Sequence, residues 1–171
     1  MLALGITVAI AILASHFNIE HLRRYGYPGV FLASLLANAT IALPIPGVAV
    51  TIGTALALPN EWWLVALVGA VGEALGESTA YLAGYGGSGV IENRQLYQRL
   101  QGWMERHGMA TVFVLSAIPN PLIDLAGLAA GASKYPFYKF ILACWLGKSV
   151  KTLLICWAAI QSATWLLPYL I

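Results

Sequence analysis

The feature that most constrains this chain is an uncharged stretch, Tyr27–Leu58, whose 32 residues are broken at the centre by two prolines and a glycine. The central Leu43-Pro44-Ile45-Pro46-Gly47 interrupts a helix, because each proline lacks a backbone donor and clashes with the preceding turn. We expect a re-entrant hairpin, two half-helices that enter and leave a membrane on one side. The alternative is two full spans, although each half holds only about 15 residues, fewer than a span needs.

A second apolar segment, Ala110–Ala132, is interrupted in the same way. Its centre reads Ile118-Pro119-Asn120-Pro121, and Asp124 follows just beyond the break. Two prolines around an asparagine again favour a hairpin over a straight span. We therefore predict two hairpin tips, formed by Pro44, Pro46 and Gly47 and by Pro119 and Pro121.

The composition agrees with a membrane location. Of the 171 residues, 60% are hydrophobic and 9% are charged, whereas soluble domains average about 25% charged residues. This composition excludes a soluble globular domain, a disordered chain and a nucleic-acid binder. The length leaves no room for a soluble catalytic domain, so we expect no enzyme. We also expect no cofactor and no metal, because no metal-ligand spacing is present.

The remaining segments complete an all-α plan. Residues 1–24 are expected to form an N-terminal helix and a polar turn, Leu64–Tyr85 a full span, and Phe137 to about Trp165 a long final helix. Ile91–His107 has the apolar spacing of an amphipathic helix on the membrane surface; the alternative is a plain connector. Its expected apolar positions are Leu96, Leu100, Trp103 and Met104.

Two parts of the chain resemble each other. Trp62–Gly72 aligns with Phe137–Gly147, which places Gly72-Glu73 on Gly147-Lys148. Two upstream segments also align, Gly29–Leu35 (GVFLASL) and Thr111–Ala117 (TVFVLSA). We predict an all-α integral membrane protein of inverted repeats, each a re-entrant helical hairpin plus a transmembrane helix. The single membrane domain would comprise the N-terminal part, repeat 1 at 25–90, the surface helix at 91–108 and repeat 2 at 109–171.

Five charged residues lie within apolar segments, where each costs about 2.5–3.5 kcal/mol on insertion scales. They are Glu73, Glu77, Asp124, Lys148 and Lys151. The glutamates are four residues apart and the lysines three apart, so each pair shares a helix face. We expect these faces to meet near the midplane, where proline-interrupted segments place a transporter's site. The alternative is ion pairing that only locks helices together.

Three stretches resemble the DedA/VTT family, the SNARE-associated Golgi protein superfamily. Ser116–Gly131 (SAIPNPLIDLAGLAAG) resembles its second hairpin, and Leu43–Gly47 resembles its first. Gly76–Gly84 (GESTAYLAG) is similar to the family's Gly-acid-x-x-x-Tyr-x-x-Gly stretch, in which Glu77 matches the acid. The resemblance extends roughly from residue 27 to residue 159. It implies two facing hairpins and lipid translocation, either phospholipid scrambling or the recycling of polyprenyl-phosphate carriers.

The chain departs from bacterial members of that family at several positions. Ser116 and Leu122 stand where those members carry arginine in the second hairpin, and Tyr85 stands where an arginine follows the motif. The neutral Asn38 stands where the first hairpin has a glutamate.

We expect a flippase- or scramblase-like translocase of a phosphate-bearing lipid, such as a phospholipid or polyprenyl phosphate. Glu73 and Glu77 are candidate proton carriers, and Lys148 and Lys151 are candidate phosphate contacts. Asn38, Asn120 and Asp124 are expected to shape the hairpin tips. The alternatives are an ion- or proton-coupled small-solute transporter and a non-transporting scaffold.

The expected partners are membrane lipids and no nucleic acid, with proton coupling and a homo-oligomer left open. The expected location is a prokaryotic cytoplasmic membrane.

Overall fold

The structure, a computed structural model, describes residues 19–39, 47–87, 94–119 and 122–170. Over these ranges every regular element is an α-helix, which confirms the predicted all-α class. The helices are α1 (Ile19–Ala39), α2 (Gly47–Ala57), α3 (Trp62–Gly76), α4 (Ser78–Tyr85), α5 (Arg94–Ala117), α6 (Leu122–Ala132) and α7 (Phe137–Leu170). The predicted N-terminal helix before residue 19 lies outside the described residues.

The long final helix is present as α7. Its segment Phe137–Trp165 is the one described helix that is long and apolar enough to cross a membrane. A turn precedes it, in which Lys134 adopts a left-handed conformation with φ 53° and the backbone N–H of Tyr135 donates to the Ala130 carbonyl at 2.9 Å. This turn satisfies carbonyls at the end of α6 and ends that helix.

Helices α2 and α6 are apolar but short, with 11 residues each. At about 1.5 Å per residue each is about 16 Å long, roughly half of a bilayer's hydrocarbon core of about 30 Å. α2 packs against α1, and α6 packs against α5 and α4. Each short helix therefore pairs with the longer helix that precedes it.

The expected single span over Leu64–Tyr85 is wrong in one respect, because the structure divides it into α3 and α4 at Glu77. Two hydroxyl groups after the division account for it. Ser78 Oγ donates to the Leu75 carbonyl, and Thr79 Oγ1 donates to the Gly76 carbonyl at 2.9 Å. Such side-chain bonds compete with the backbone ladder and bend helices.

Two further boundaries differ from the predictions. The expected polar turn before residue 25 is helical from Ile19 onward, and the break falls instead at Gly26, whose φ of 46° suits a residue without a Cβ. The expected surface helix and the first arm of the second hairpin are joined in α5, which is kinked at His107. Each kink changes the direction of its helix, α1 or α5, and leaves the number of helices unchanged.

The polar helix before His107 is amphipathic, with two of its predicted apolar positions packed into the protein and one facing outward. Leu100 and Met104 are fully buried, whereas Trp103 is 54% exposed. Trp103 is three residues from Leu100 and one from Met104, so a small rotation of the helix places the indole at its rim. The side chain of Leu96 lies outside the described part.

Two glycines allow close helix crossings at equivalent positions of the aligned segments. A Cβ at Gly72 of α3 would lie 3.1 Å from Ser34 Cβ in α1, and one at Gly147 of α7 would lie 2.6 Å from Ser116 Cβ in α5. Each added Cβ would also collide with a backbone carbonyl, that of Phe31 or that of Phe113. Helix α3 thus touches the backbone of α1, and α7 touches that of α5.

Two apolar clusters form the core. The larger includes Phe140 and Cys144, and the smaller includes Val65 and Cys156. Both cysteines are buried free thiols. Along α7, the turns that carry Lys148 and Lys151 lie between the two clusters, so the protein's charged centre is enclosed by apolar packing above and below.

Candidate functional site

Four charged side chains meet between α3 and α7. Glu77 Oε1 accepts a hydrogen bond from Lys148 Nζ at 2.6 Å, and Glu73 Oε2 accepts one from Lys151 Nζ at 2.5 Å. Lys148 Nζ also lies 3.6 Å from Glu73 Oε2, which links the two ion pairs into one network. The predicted meeting of an acidic and a basic helix face is therefore present in the structure.

The helical spacing explains this arrangement. Glu73 and Glu77 are separated by about one turn, as are Lys148 and Lys151, so each pair projects from one side of its helix. Because α3 and α7 pack side by side, the two faces oppose each other. All four side chains are at least nine-tenths buried, which is rare for ionised groups unless they are paired.

Asn38, near the end of α1, joins the network. Lys148 Nζ donates to Asn38 Oδ1 at 2.9 Å, and Asn38 Nδ2 donates to the Ser34 carbonyl at 2.9 Å. Gly76 makes room for this contact, because a Cβ there would lie 2.7 Å from Asn38 Cβ. The amide thus occupies a position beside Lys148 and joins α1 to α7.

Helix α6 contributes Asp124, in its first turn. This half-buried carboxyl group is close enough to Glu77 to interact with it electrostatically. Asp124 and Glu77 are therefore neighbouring carboxyl groups, and Glu77 also bonds to Lys148. The network touches an arm of each predicted hairpin.

The carboxylates retain unused hydrogen-bonding capacity. Glu73 Oε1 and Glu77 Oε2 are both buried, and neither has a hydrogen-bond partner among the described residues. An unpaired buried acceptor costs about 1–3 kcal/mol, so it favours an incoming proton or donor group. The part of the chain that the structure describes has no cluster of His, Cys, Asp or Glu suited to a metal ion.

The predicted tip residues are only partly described. Gly47 begins α2 and is buried against α1, where an added Cβ would lie 2.7 Å from Ala37 Cβ. Pro119, just after α5, is exposed. Pro44, Pro46, Asn120 and Pro121 lie outside the described residues, so their predicted roles stay predictions.

One polar contact beside the site was not predicted. Ser34 Oγ and Thr51 Oγ1 are fully buried and lie 3.3 Å apart, which joins α1 to α2. Thr51 also donates to the Gly47 carbonyl at 3.0 Å, and Ser34 accepts from Asn38 through its own carbonyl. The available sequence signal was the four-residue spacing of Ser34 and Asn38, which places them on one face of α1.

Residues 43–161 match the family model of the VTT domain. This chain belongs to the VTT domain family. The resemblance to the DedA/VTT family is thereby confirmed, and the matched region contains all four residues of the ion-pair network. The VTT domain also includes Asp124 and the greater part of α7, whereas Asn38 lies just before the matched region.

Three eukaryotic relatives match part of this chain. Vacuole membrane protein KMS1 of Arabidopsis thaliana is 33% identical over 109 residues, 51% of this chain and 26% of that protein. Vacuole membrane protein KMS2 of the same plant is 36% identical over 56 residues, 30% of this chain and 14% of that protein. The vacuole membrane protein 1 homolog of Dictyostelium discoideum is 36% identical over 62 residues, which are 36% of this chain and 15% of that protein.

This chain therefore matches about a quarter or less of the length of each of these relatives. Their names, the VTT domain and the composition identify it as a membrane protein. The prediction of a prokaryotic cytoplasmic membrane has no support from these relatives, which are eukaryotic. No solved structure matches the chain significantly.

Proposed function

We propose that this VTT domain moves a phosphate-bearing lipid across the bilayer. The observation that carries the proposal is the buried network of Glu73, Glu77, Lys148 and Lys151, which bonds to Asn38 of α1 and lies near Asp124 of α6. Ionised groups within a membrane domain are rare and mark substrate or proton pathways. A phosphate group matches the lysines because it supplies several acceptors that compete with a carboxylate for an ammonium group.

Two features support an inverted-repeat architecture as the frame of this function. Helices α2 and α6 are too short to cross a bilayer, and each follows a longer helix through a proline-containing tip. The crossings at Gly72 and Gly147 use equivalent residues of the two aligned segments. We infer two re-entrant hairpins that face each other across the network, as in transporters whose sites lie at the interface of two repeats.

The proposed cycle exchanges ligands at the lysines. A lipid phosphate displaces Glu77 from Lys148, and the released carboxyl group takes up a proton that it can share with the neighbouring Asp124. Asn38 keeps one acceptor on Lys148 while the carboxylate is absent. The reverse exchange releases the phosphate. A transmembrane proton gradient would bias this exchange, so proton coupling belongs to the same proposal.

Two alternatives use the same residues differently. A small-solute transporter would bind a soluble anion at the lysines, and a scaffold would use the network only to hold α3 and α7 together. The lipid proposal is favoured by the half-exposed apolar residues on both helices beside the network, among them Val71 and Leu75. Such side chains give the surface beside the site an apolar character that suits hydrocarbon chains.

The test is transbilayer movement in vesicles reconstituted with the purified full chain. Fluorescent phospholipid and fluorescent polyprenyl phosphate are assayed separately, with and without a pH gradient. We expect movement of at least one lipid, reduced about tenfold or more in Glu77→Gln, since a charge-assisted hydrogen bond contributes about 1.5–3 kcal/mol.

The matched control is Ser149→Ala, next to Lys148. Ser149 Oγ is buried without a hydrogen-bond partner in the described part of the chain, so its removal leaves all four charges in place. The control should move lipid at the wild-type rate. If folded wild-type protein moves neither lipid, the proposal fails, and uptake of a small anion that depends on Glu77 would favour the solute transporter.

A further inference from the structure

An apolar groove of about 610 Å³ lies between α3 and α7, outside the ion-pair network. Small-ligand sites occupy about 300–1,000 Å³, so the groove is large enough for part of a lipid. Its walls include Phe137, Tyr138, Leu142 and Trp145 from α7 and Val71 and Leu75 from α3. These walls offer hydrocarbon contacts.

The side of the groove that α7 forms is about as long as one leaflet is thick. Along α7 it extends from Phe137, the first residue of the candidate span, to Trp145. Eight residues at about 1.5 Å each correspond to about 12 Å, close to the half-thickness of a hydrocarbon core of about 30 Å. A groove of this length can hold an acyl chain from its headgroup end almost to the midplane.

The mouth of the groove is basic. Lys139 Nζ lies 5.9 Å from the ring centroid of Tyr138, which lines the groove, and the exposed Lys134 lies three residues before α7. The sequence has no Asp or Glu after Asp124, and the beginning of a helix carries partial positive charge. Charge complementarity therefore favours a lipid with an anionic headgroup at this end.

The inner end of the groove borders the network. Ala74, which lines the groove, lies between Glu73 and Glu77 in sequence, and Trp145 precedes Lys148 by about one helical turn. A lipid held here would have its chain beside the charged residues before its headgroup reaches them. The position therefore suits loading of a substrate.

We propose that this groove binds one acyl chain of an anionic phospholipid, with the phosphate at Lys139, as a loading position. The role of the groove as a loading position rests on the proposed function, whereas binding of a lipid in the groove does not require transport. A second copy of the chain is the competing occupant, and the test separates the two.

The experiment places the full chain in phosphatidylcholine vesicles with a small fraction of phosphatidylglycerol that carries a photoactivatable diazirine on one acyl chain. After illumination, mass spectrometry maps the labelled residues. We expect the label to concentrate on Tyr138 and Leu142. Phosphatidylcholine with the same diazirine chain should label these residues less, and Lys139→Gln should remove the difference.

The variant Leu142→Trp is designed to block the groove. Leu142 lines the groove and is 43% exposed, so the larger indole ring should extend into it. We expect about tenfold less labelling. This is the loss of affinity expected when about two methylene groups of the acyl chain can no longer be buried in the groove. The matched control is Leu154→Trp, at a position of the same helix that is 60% exposed and outside the groove lining. The lipid should label this control as strongly as it labels the wild type. Both variants are compared as monodisperse, folded protein.

Labelling that is uniform along the exposed side of α7, or unchanged in Leu142→Trp, would overturn the groove proposal. So would disulfide crosslinking between two copies of a Leu142→Cys variant in the same vesicles, which would assign the face to a second copy. The experiments distinguish failure of the transport proposal from failure of the groove proposal. Glu77→Gln should retain groove labelling while losing lipid movement, whereas lipid movement without groove labelling refutes the groove alone.

Discussion

At the scale of single residues, Lys148 is the most connected charged group of the site. Its Nζ bonds to Glu77 and Asn38 and lies 3.6 Å from Glu73, whereas Lys151 bonds to Glu73. The Lys148 side chain is 4% exposed and that of Lys151 is 10% exposed. Removing one partner of a buried pair leaves an uncompensated charge, which costs about 3–5 kcal/mol.

We predict that Lys148→Gln destabilises the protein more than Lys151→Gln does. The first change leaves Glu77 without its cation, whereas after the second change Lys148 remains near Glu73. The expected loss for Lys148→Gln is about 3–5 kcal/mol, with a smaller loss for Lys151→Gln. Unfolding of both variants in mild detergent measures the difference. Equal losses would show that the additional contacts of Lys148 contribute nothing.

At the scale of elements, glycine determines how closely the helices approach. Gly72 and Gly147 bring α3 and α7 onto the backbones of α1 and α5. An inserted methyl group in such a contact typically costs about 1–3 kcal/mol through overpacking. These two positions therefore contribute to stability through the absence of a side chain.

We predict that Gly72→Ala and Gly147→Ala each destabilise the fold by about 1–3 kcal/mol. The control is Gly102→Ala in α5, where an added Cβ would have nothing within 4 Å. Because alanine is the better helix former, this control should stabilise the protein by about 0.5–1 kcal/mol. Thermal unfolding in detergent reports all three. If Gly72→Ala and Gly102→Ala shift stability in the same direction, the close-crossing account is wrong.

The elements also show what the sequence could predict. The apolar runs and their proline breaks predicted α2, α6 and α7, because these signals are local. The division at Glu77 was missed, since it depends on which carbonyls Ser78 and Thr79 reach. For the site, helical spacing predicted the opposed charged faces. The bond from Lys148 to Asn38 joins residues 110 positions apart, and no local pattern specifies such a contact.

At the scale of the whole molecule, the charged network is enclosed by apolar clusters along α7, bonded to Asn38 of α1 and neighboured by Asp124 of α6. A network that only locked helices together would be equally well served by uncharged partners, because replacing both members of a buried ion pair is often neutral for stability. A network that handles lipid phosphate needs its charges. This difference separates a structural from a functional role.

The most direct measurement is therefore lipid movement by the double variant Glu77→Gln/Lys148→Gln in reconstituted vesicles, compared with wild type at equal amounts of folded protein. Removing both charges leaves Glu73 and Lys151 paired and should restore most of the stability lost in Lys148→Gln. We predict that this stable double variant moves phospholipid and polyprenyl phosphate at least about tenfold more slowly than wild type. A double variant that moves lipid at the wild-type rate would contradict the account.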